Sequence, residues 1–447
     1  MNAATSIPGL LSLFHNEWDA LMLETATLRE SLDARNKELA TSLYQYDAAC
    51  RVIARLTVER DEARAALAAA PAGGVKRSGD AMDVDGAAAG GPKKAKGGIT
   101  PDVLELISNT AATLSKTRKK RVISAELATP EDVASFVVAE TLPLHKPSSP
   151  GIAALALHAA SGRIATAGAD KIGIVFDRAA GTKLADLKGH TKELTSVAWA
   201  SNGEALLTGS ADKTARLWAA EDGGRSGFRC AATFADHAGA VNAVAAHPCG
   251  VVAVTASADA TWALYDLPSA TCLVHVADAA GDAAPLHAAA FHPDGLILGT
   301  GGADGVVRIW DVKSGSAAAT MTDGGHVGGA VRALAFSENG YYLATGGADG
   351  VKMWDLRKVK CAASLAPFGE GGAVAALAFD HSGQYLAAGG AHVAVFATKQ
   401  EWATVKAFEP LGAAKKSVAA LAWGPDARFL AVGAAADHNL RLYSAPA

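Results

Sequence analysis

Two hydrophobic periods divide this chain. From residue 7 to 69, apolar side chains recur every seven positions. Leu11, Trp18, Leu32, Leu39, Tyr46 and Ile53 mark one seam position, and Phe14, Leu21, Leu28 and Leu56 the complementary one. No glycine or proline interrupts the run after Gly9, and Leu, Ala, Glu and Arg dominate it, which is strong helix composition. The pattern predicts a coiled-coil segment over residues 1–69, whose helical run from 7 to 69 would be roughly 90 Å long at about 1.5 Å per residue. Such a stripe needs other helices to cover it, so self- or hetero-association is expected. Arg35 and Ser42 fall on the seam and favour a mixed or antiparallel bundle over a parallel zipper.

After residue 150 the period drops to two and whole blocks repeat. The shared aspartates Asp170, Asp212, Asp259, Asp304 and Asp349 lie 42, 47, 45 and 45 residues apart, and Asp437 follows 88 later, two periods of 44. The unit between them, YLAAGGAHVAVFA at 385–397, lacks the aspartate. Each unit holds four short alternating runs bounded by Gly, Asp or Asn, such as SVAWA, EALLTG, TARLWA and AATFA. Four strands in a period near 44 describe a propeller blade, so the chain is expected to be mainly β, a seven-bladed propeller over 137–447. The last unit ends after three strands. VVAETLP at 137–143 is expected to supply the fourth and close the ring, since an open propeller leaves an unpaired edge. The repeated aspartates read as turn residues that accept backbone N–H bonds.

Between these two textures lie residues 70–98, rich in Gly, Ala and Pro, which cannot bury enough surface to offset chain entropy and read as a disordered linker. Residues 99–121 read as a short helix capped at Thr100-Pro101 and ending in a basic run, with a connector at 122–136. Two basic clusters flank this region: Lys93, Lys94 and Lys96, then Lys116, Arg118, Lys119, Lys120 and Arg121. Three readings stand beside each other: a nuclear-import signal, a solvated helix end favoured by the helix dipole, and contact with RNA phosphates.

Composition narrows the function classes. Of 447 residues, 50% are apolar and the mean hydropathy is +0.16, yet no stretch approaches the roughly 20 apolar residues of a membrane-spanning helix. Leu10 to Phe14 run into Glu17 and Asp19 without a basic leader, so the reading is a soluble, intracellular chain. The net charge of −4 argues against a bulk nucleic-acid-binding domain. Five scattered cysteines with no C-x-x-C pair offer neither a disulfide framework nor a zinc cluster. GTGGADG at 299–305 invites a phosphate-loop reading, but Asp304 stands where the last glycine belongs, so it reads as a blade turn. His247-Pro248 and His292-Pro293 read as hairpin turns without further metal ligands. No catalytic residue, metal or cofactor is expected.

Trp310-Asp311, Trp354-Asp355, Gly189-His190 and Gly325-His326 match the WD-repeat pattern. That resemblance implies one complete hydrogen-bonded tetrad, His190, Ser210, Asp212 and Trp218, with at least one member missing from every other blade. ATSIPGLL, NEWDALMLE, LYQYDAACRVIARLTVERDEAR, LSKTRKKR, FHPDGLILGTG and AFSENGYYLATGGADGVKMWDLRK resemble the pre-mRNA-processing factor 19 family over nearly the whole chain. The resemblance implies a nuclear, spliceosome-associated scaffold and ubiquitin-protein ligase with a role in DNA repair. It implies a homotetramer through the seam residues above, a docked Myb-related subunit, and a propeller that recruits substrates, with any RNA association indirect. The family places a U-box, which binds the ubiquitin-conjugating enzyme, before the ATSIP segment. Here Met1-Asn2-Ala3 leads directly into it, so scaffold and recruiting parts are expected without the catalytic module, through truncation of the sequence or loss of ligase function. A WD-repeat adaptor without a ligase or splicing role is the alternative.

Overall fold

The computed structural model describes residue 22 and residues 98–121, 123–146, 151–200, 203–222, 227–277, 284–322, 324–327, 329–369, 372–408 and 417–446. The chain forms two compact units, 1–88 and 89–447. In the first only Met22 is described, helical and exposed. The predicted coiled coil and its seam, the linker up to residue 97, and Lys93, Lys94 and Lys96 therefore lie outside the described residues.

The second unit holds seven antiparallel four-stranded sheets. Six are consecutive in sequence: blades one to six, over 152–188, 194–234, 241–277, 286–321, 333–365 and 376–407. Blade seven takes three strands from 418–444 and its outermost from Val137–Pro143, which pairs antiparallel with Asn439–Ser444 and leaves no open seam.

Burial grades outward within each blade, and composition follows it. Second strands such as Val252–Ser257 are buried at every position, because neighbouring blades cover both of their faces. Such strands read as runs of apolar and small residues. Fourth strands such as Lys360–Leu365 alternate between exposed and half-buried.

Contact between blades follows a rule of complementary size. Gly209, Gly301, Gly346, Gly389 and Gly433 on second strands face Val241, Val331, Val374, Val418 and Ile152 at the start of the next blade, and a Cβ added to any of them would come within 3.0 Å or less of that side chain. Where the next blade begins with Leu194 or Leu286, the second strand carries Ala167 or Ala256 instead, in shared core clusters. Leucine branches one carbon further out, which leaves room for a methyl group. The Gly433–Ile152 contact belongs to this series and joins blade seven to blade one.

The segment before the ring is a belt. Helix α1 (Pro101–Lys119) starts at Thr100 with proline in its first turn, and Ile107 is fully buried in a cluster with Val252, Leu298 and Val312 of blades three and four. Helix α2 (Pro130–Ser135) opens with a capping box between Thr129 and Asp132. Its Val133, with Ala128 and Phe136, joins a cluster containing Tyr385, Phe408, Trp423 and Tyr443 of blades six and seven. From there the chain enters the closing strand.

Candidate functional site

Residues with chemistry gather at three places: the turns carrying the repeated aspartates, the hairpins at the opposite ends of the first strands, and the basic end of α1. In blade two, Trp218 Nε1 donates to Thr208 Oγ1 at 2.9 Å, Thr208 meets His190 Nε2 at 2.9 Å, and His190 Nδ1 meets Asp212 at 2.9 Å. An indole N–H only donates, so Thr208 passes its own hydrogen to Nε2, and the His190 proton sits on Nδ1 facing Asp212. Burial is the largest influence on His190 and lowers its pKa despite Asp212. Burial opposes the Asp212 charge, but bonds from Thr214, the Thr191 N–H and His190 outweigh it and hold the carboxylate well below its usual range. The relay is therefore a neutral imidazole between a hydroxyl and an anion, fully partnered at both ends, and it serves blade structure.

This corrects the expected tetrad. The linking hydroxyl is Thr208, whereas Ser210 donates to the Glu193 carbonyl at 2.8 Å. Both lie on one face of the same strand, but Leu206 is the residue opposite Trp218, so Thr208 is the diagonal neighbour within reach. Blade five also carries a full set, against expectation. Trp354 donates to Thr345 at 2.9 Å, Thr345 meets His326 at 2.9 Å, and His326 bonds Asp349. Blade one uses His145, which meets Thr166 at 2.9 Å and Asp170 at 3.1 Å. In blades four and seven an arginine four positions on takes the aspartate, Arg308 on Asp304 and Arg441 on Asp437, each at 2.8 Å. The repeated aspartates also cap turns: Asp170, Asp212, Asp259 and Asp304 each accept from the backbone N–H two residues on.

His237, Asp259 and His275 bring three potential metal ligands together. The Thr261 hydroxyl lies among them, 3.0 Å from His237 Nδ1, 2.8 Å from His275 Nε2 and 2.5 Å from Asp259. It fills the place a cation would take.

The two His-Pro turns act between blades. Cys249 N–H donates to His247 Nδ1, so Nε2–H donates to Gly295 O at 2.9 Å in the next blade, and His292 Nε2 does the same to Gly340 O at 3.1 Å. Gly295 has φ +78°, and a Cβ there would sit 2.2 Å from His247, so glycine is needed for both conformation and space.

The basic run divides by function. Arg118 lies 3.9 Å from Asp294, Arg121 lies 3.5 Å from Glu338, and Arg121 also donates to His381 O. These arginines moor the end of α1 to blades four, five and six. Lys116 and Lys120 are exposed, and Lys119 ends the helix.

Against known proteins, a family described as Prp19/Pso4-like matches residues 3–70, and the WD domain, G-beta repeat matches 181–219, 228–266, 274–311, 318–355 and 408–444. The chain is 42% identical over 458 aligned positions to pre-mRNA-processing factor 19 of Oryza sativa subsp. japonica, covering 99% of this chain and 85% of that protein. The Bos taurus protein of that name is 39% identical over 62% of this chain and 56% of its own length. The Dictyostelium discoideum one is 68% identical over 65 residues, 14% of this chain and 13% of its own.

Proposed function

The chain belongs to the pre-mRNA-processing factor 19 family, and from that premise we propose that it is a scaffold of a pre-mRNA splicing complex. Its propeller recruits protein partners and substrates, and its N-terminal block joins several copies, a tetramer in the proposal, and docks a Myb-related subunit. The observation that carries this reading is that likeness to the rice protein spans 99% of the chain, and so takes in residues outside the propeller. An adaptor related only through its propeller would have no Prp19/Pso4-like match at 3–70. Joining propellers on one assembly raises the local concentration of whatever they hold, so modest single contacts add up to firm recruitment. The role places the chain in the nucleus, with Lys116 and Lys120 as the lysines of the basic run free to meet an import receptor. RNA association is indirect, through protein partners.

The test is purification of the tagged full chain from its own cells, with the co-purifying RNA sequenced and the assembly mass read by light scattering. Spliceosomal small nuclear RNAs and a fourfold mass are expected. Absence of those RNAs overturns the splicing role, and a monomer overturns the tetramer. Discharge of a loaded ubiquitin-conjugating enzyme by the purified assembly measures ubiquitin-ligase activity directly.

A further inference from the structure

A cavity of about 550 Å³ runs down the axis of the ring, lined by the first strand of every blade. The first strands begin at the aspartate turns, so the residues that open them form the mouth on that face. The belt lies across the hairpins at their other ends. The mouth is lopsided. Four consecutive blades contribute Thr195, Asn242, His287 and Arg332, and the other three contribute Ala375, Ala419 and Ala153. One layer down, the lining turns apolar with Val244, Leu334 and Leu377, so any charged group must stay at the mouth.

Among the described residues of the lining, Arg332 and His287 are the only ionisable ones, and none of them is a carboxylate. Arg332 is exposed, and among the described residues its guanidinium has no ion-pair partner. The nearby turn carboxylates are already taken, Asp304 by Arg308 and Asp349 by His326 and Lys352. Asn242 Nδ2 donates to Leu286 O at 2.7 Å and lies 3.4 Å from His287 Nδ1. An amide N–H only donates, so Nδ1 accepts and the His287 proton sits on Nε2, available to a ligand. Burial, then Arg332, lower the His287 pKa, so the mouth carries one permanent positive charge beside one neutral donor.

We propose that this mouth binds a single carboxylate, the acidic side chain of a glutamate or aspartate in a partner protein. Arg332 takes the carboxylate in a forked pair, His287 Nε2–H adds a third bond, and the alanine arc leaves room for the partner's backbone. A phosphate or an RNA strand calls for several cations along its path. Among the described residues this mouth has one, which selects a monoanion. The inference deepens the proposed recruiting role and rests on it for the partner being a protein.

The experiment uses the purified full chain and two immobilised libraries of nine-residue peptides, randomised except for a central Glu or a central Gln. The Glu library is expected to be retained and the Gln library not, with binding about tenfold or more weaker for Arg332→Gln, as for loss of a charged hydrogen bond. Arg332→Lys should restore part of it, since a lysine keeps the charge without the fork. Thermal melting of each variant is expected to match the parent, because Arg332 is exposed. Equal retention of both libraries, no retention of either, or Glu binding that survives Arg332→Gln overturns the proposal, as does preference for phosphopeptides or single-stranded RNA run as competitors. If Glu retention depends on Arg332 but the chain brings down no spliceosomal RNA, the site stands and the splicing role falls.

Discussion

Tyr385, on the second strand of blade six, donates its hydroxyl hydrogen to the Ala128 carbonyl at 2.8 Å. One buried bond thus fastens the belt just before the closing strand. Burial, and then Asp380, raise the tyrosine pKa to about 12, so the phenol stays a donor through the working pH range. Tyr385→Phe keeps the ring but strands the carbonyl. Urea unfolding should show a loss of about 1–3 kcal/mol, the usual cost of an unpaired buried acceptor. An unchanged midpoint would mean that the belt is not held here.

In the relay of blade two, Thr208 bonds both Trp218 and His190, whereas Ser210 bonds only backbone. Thr208→Val keeps the shape and removes both side-chain bonds, so it should cost about 2 kcal/mol or more. Ser210→Ala should cost less. The reverse ranking in thermal denaturation would return the linking role to Ser210.

Acid should weaken the ring. His145, His190, His237 and His247 all have pKa values lowered chiefly by burial from 6.5. The unfolded chain takes up protons at these sites that the folded chain refuses. Stability should therefore be level above about pH 7 and fall as pH drops below 6.5, through the lowered folded values. Asp212 and Asp259, held below 3.8 by hydrogen bonds that outweigh burial, extend the loss at still lower pH. Melting curves between about pH 8 and pH 5 check the sign, and a midpoint that rises towards pH 5 would contradict it.

Much of the propeller was legible because its period is enforced by repeated turn chemistry: aspartate, then a backbone N–H two positions on. Thr208 was missed because alternation places it on the same face as Ser210, and only register against Trp218 separates them. His145 was missed because Leu144, where Gly-His would have a glycine, precedes it, although it follows the closing strand as His190 follows Thr182–Lys188. The short helix read at 99–121 carries no sign that Ile107 is buried against blades three and four. Nor does a run of basic residues reveal that Arg118 and Arg121 find Asp294 and Glu338 across the fold.

That division of the basic run is testable. Arg118→Ala with Arg121→Ala should leave α1 moored only by its apolar face, and proteolysis within 122–136 should quicken at unchanged propeller melting. Lys116→Ala with Lys120→Ala should leave proteolysis unchanged and reduce nuclear accumulation of a fluorescent fusion. If the arginine pair alone abolishes import while the belt stays protected, the run acts as one signal and the ion pairs are incidental.

The size rule between blades predicts a compensating pair. Gly346 faces Val374, and a Cβ at Gly346 would lie 2.7 Å from the valine. Gly346→Ala should therefore cost about 1–3 kcal/mol through overpacking. Val374→Leu moves the branch outward, as Leu286 does against Ala256, so the double variant should regain part of that loss. The two residues touch, so a double-mutant cycle should return a favourable coupling above about 0.5 kcal/mol. Additive losses would show that backbone adjustment absorbs the methyl group and that pairing of glycine with β-branched neighbours is not what sets the spacing of the blades.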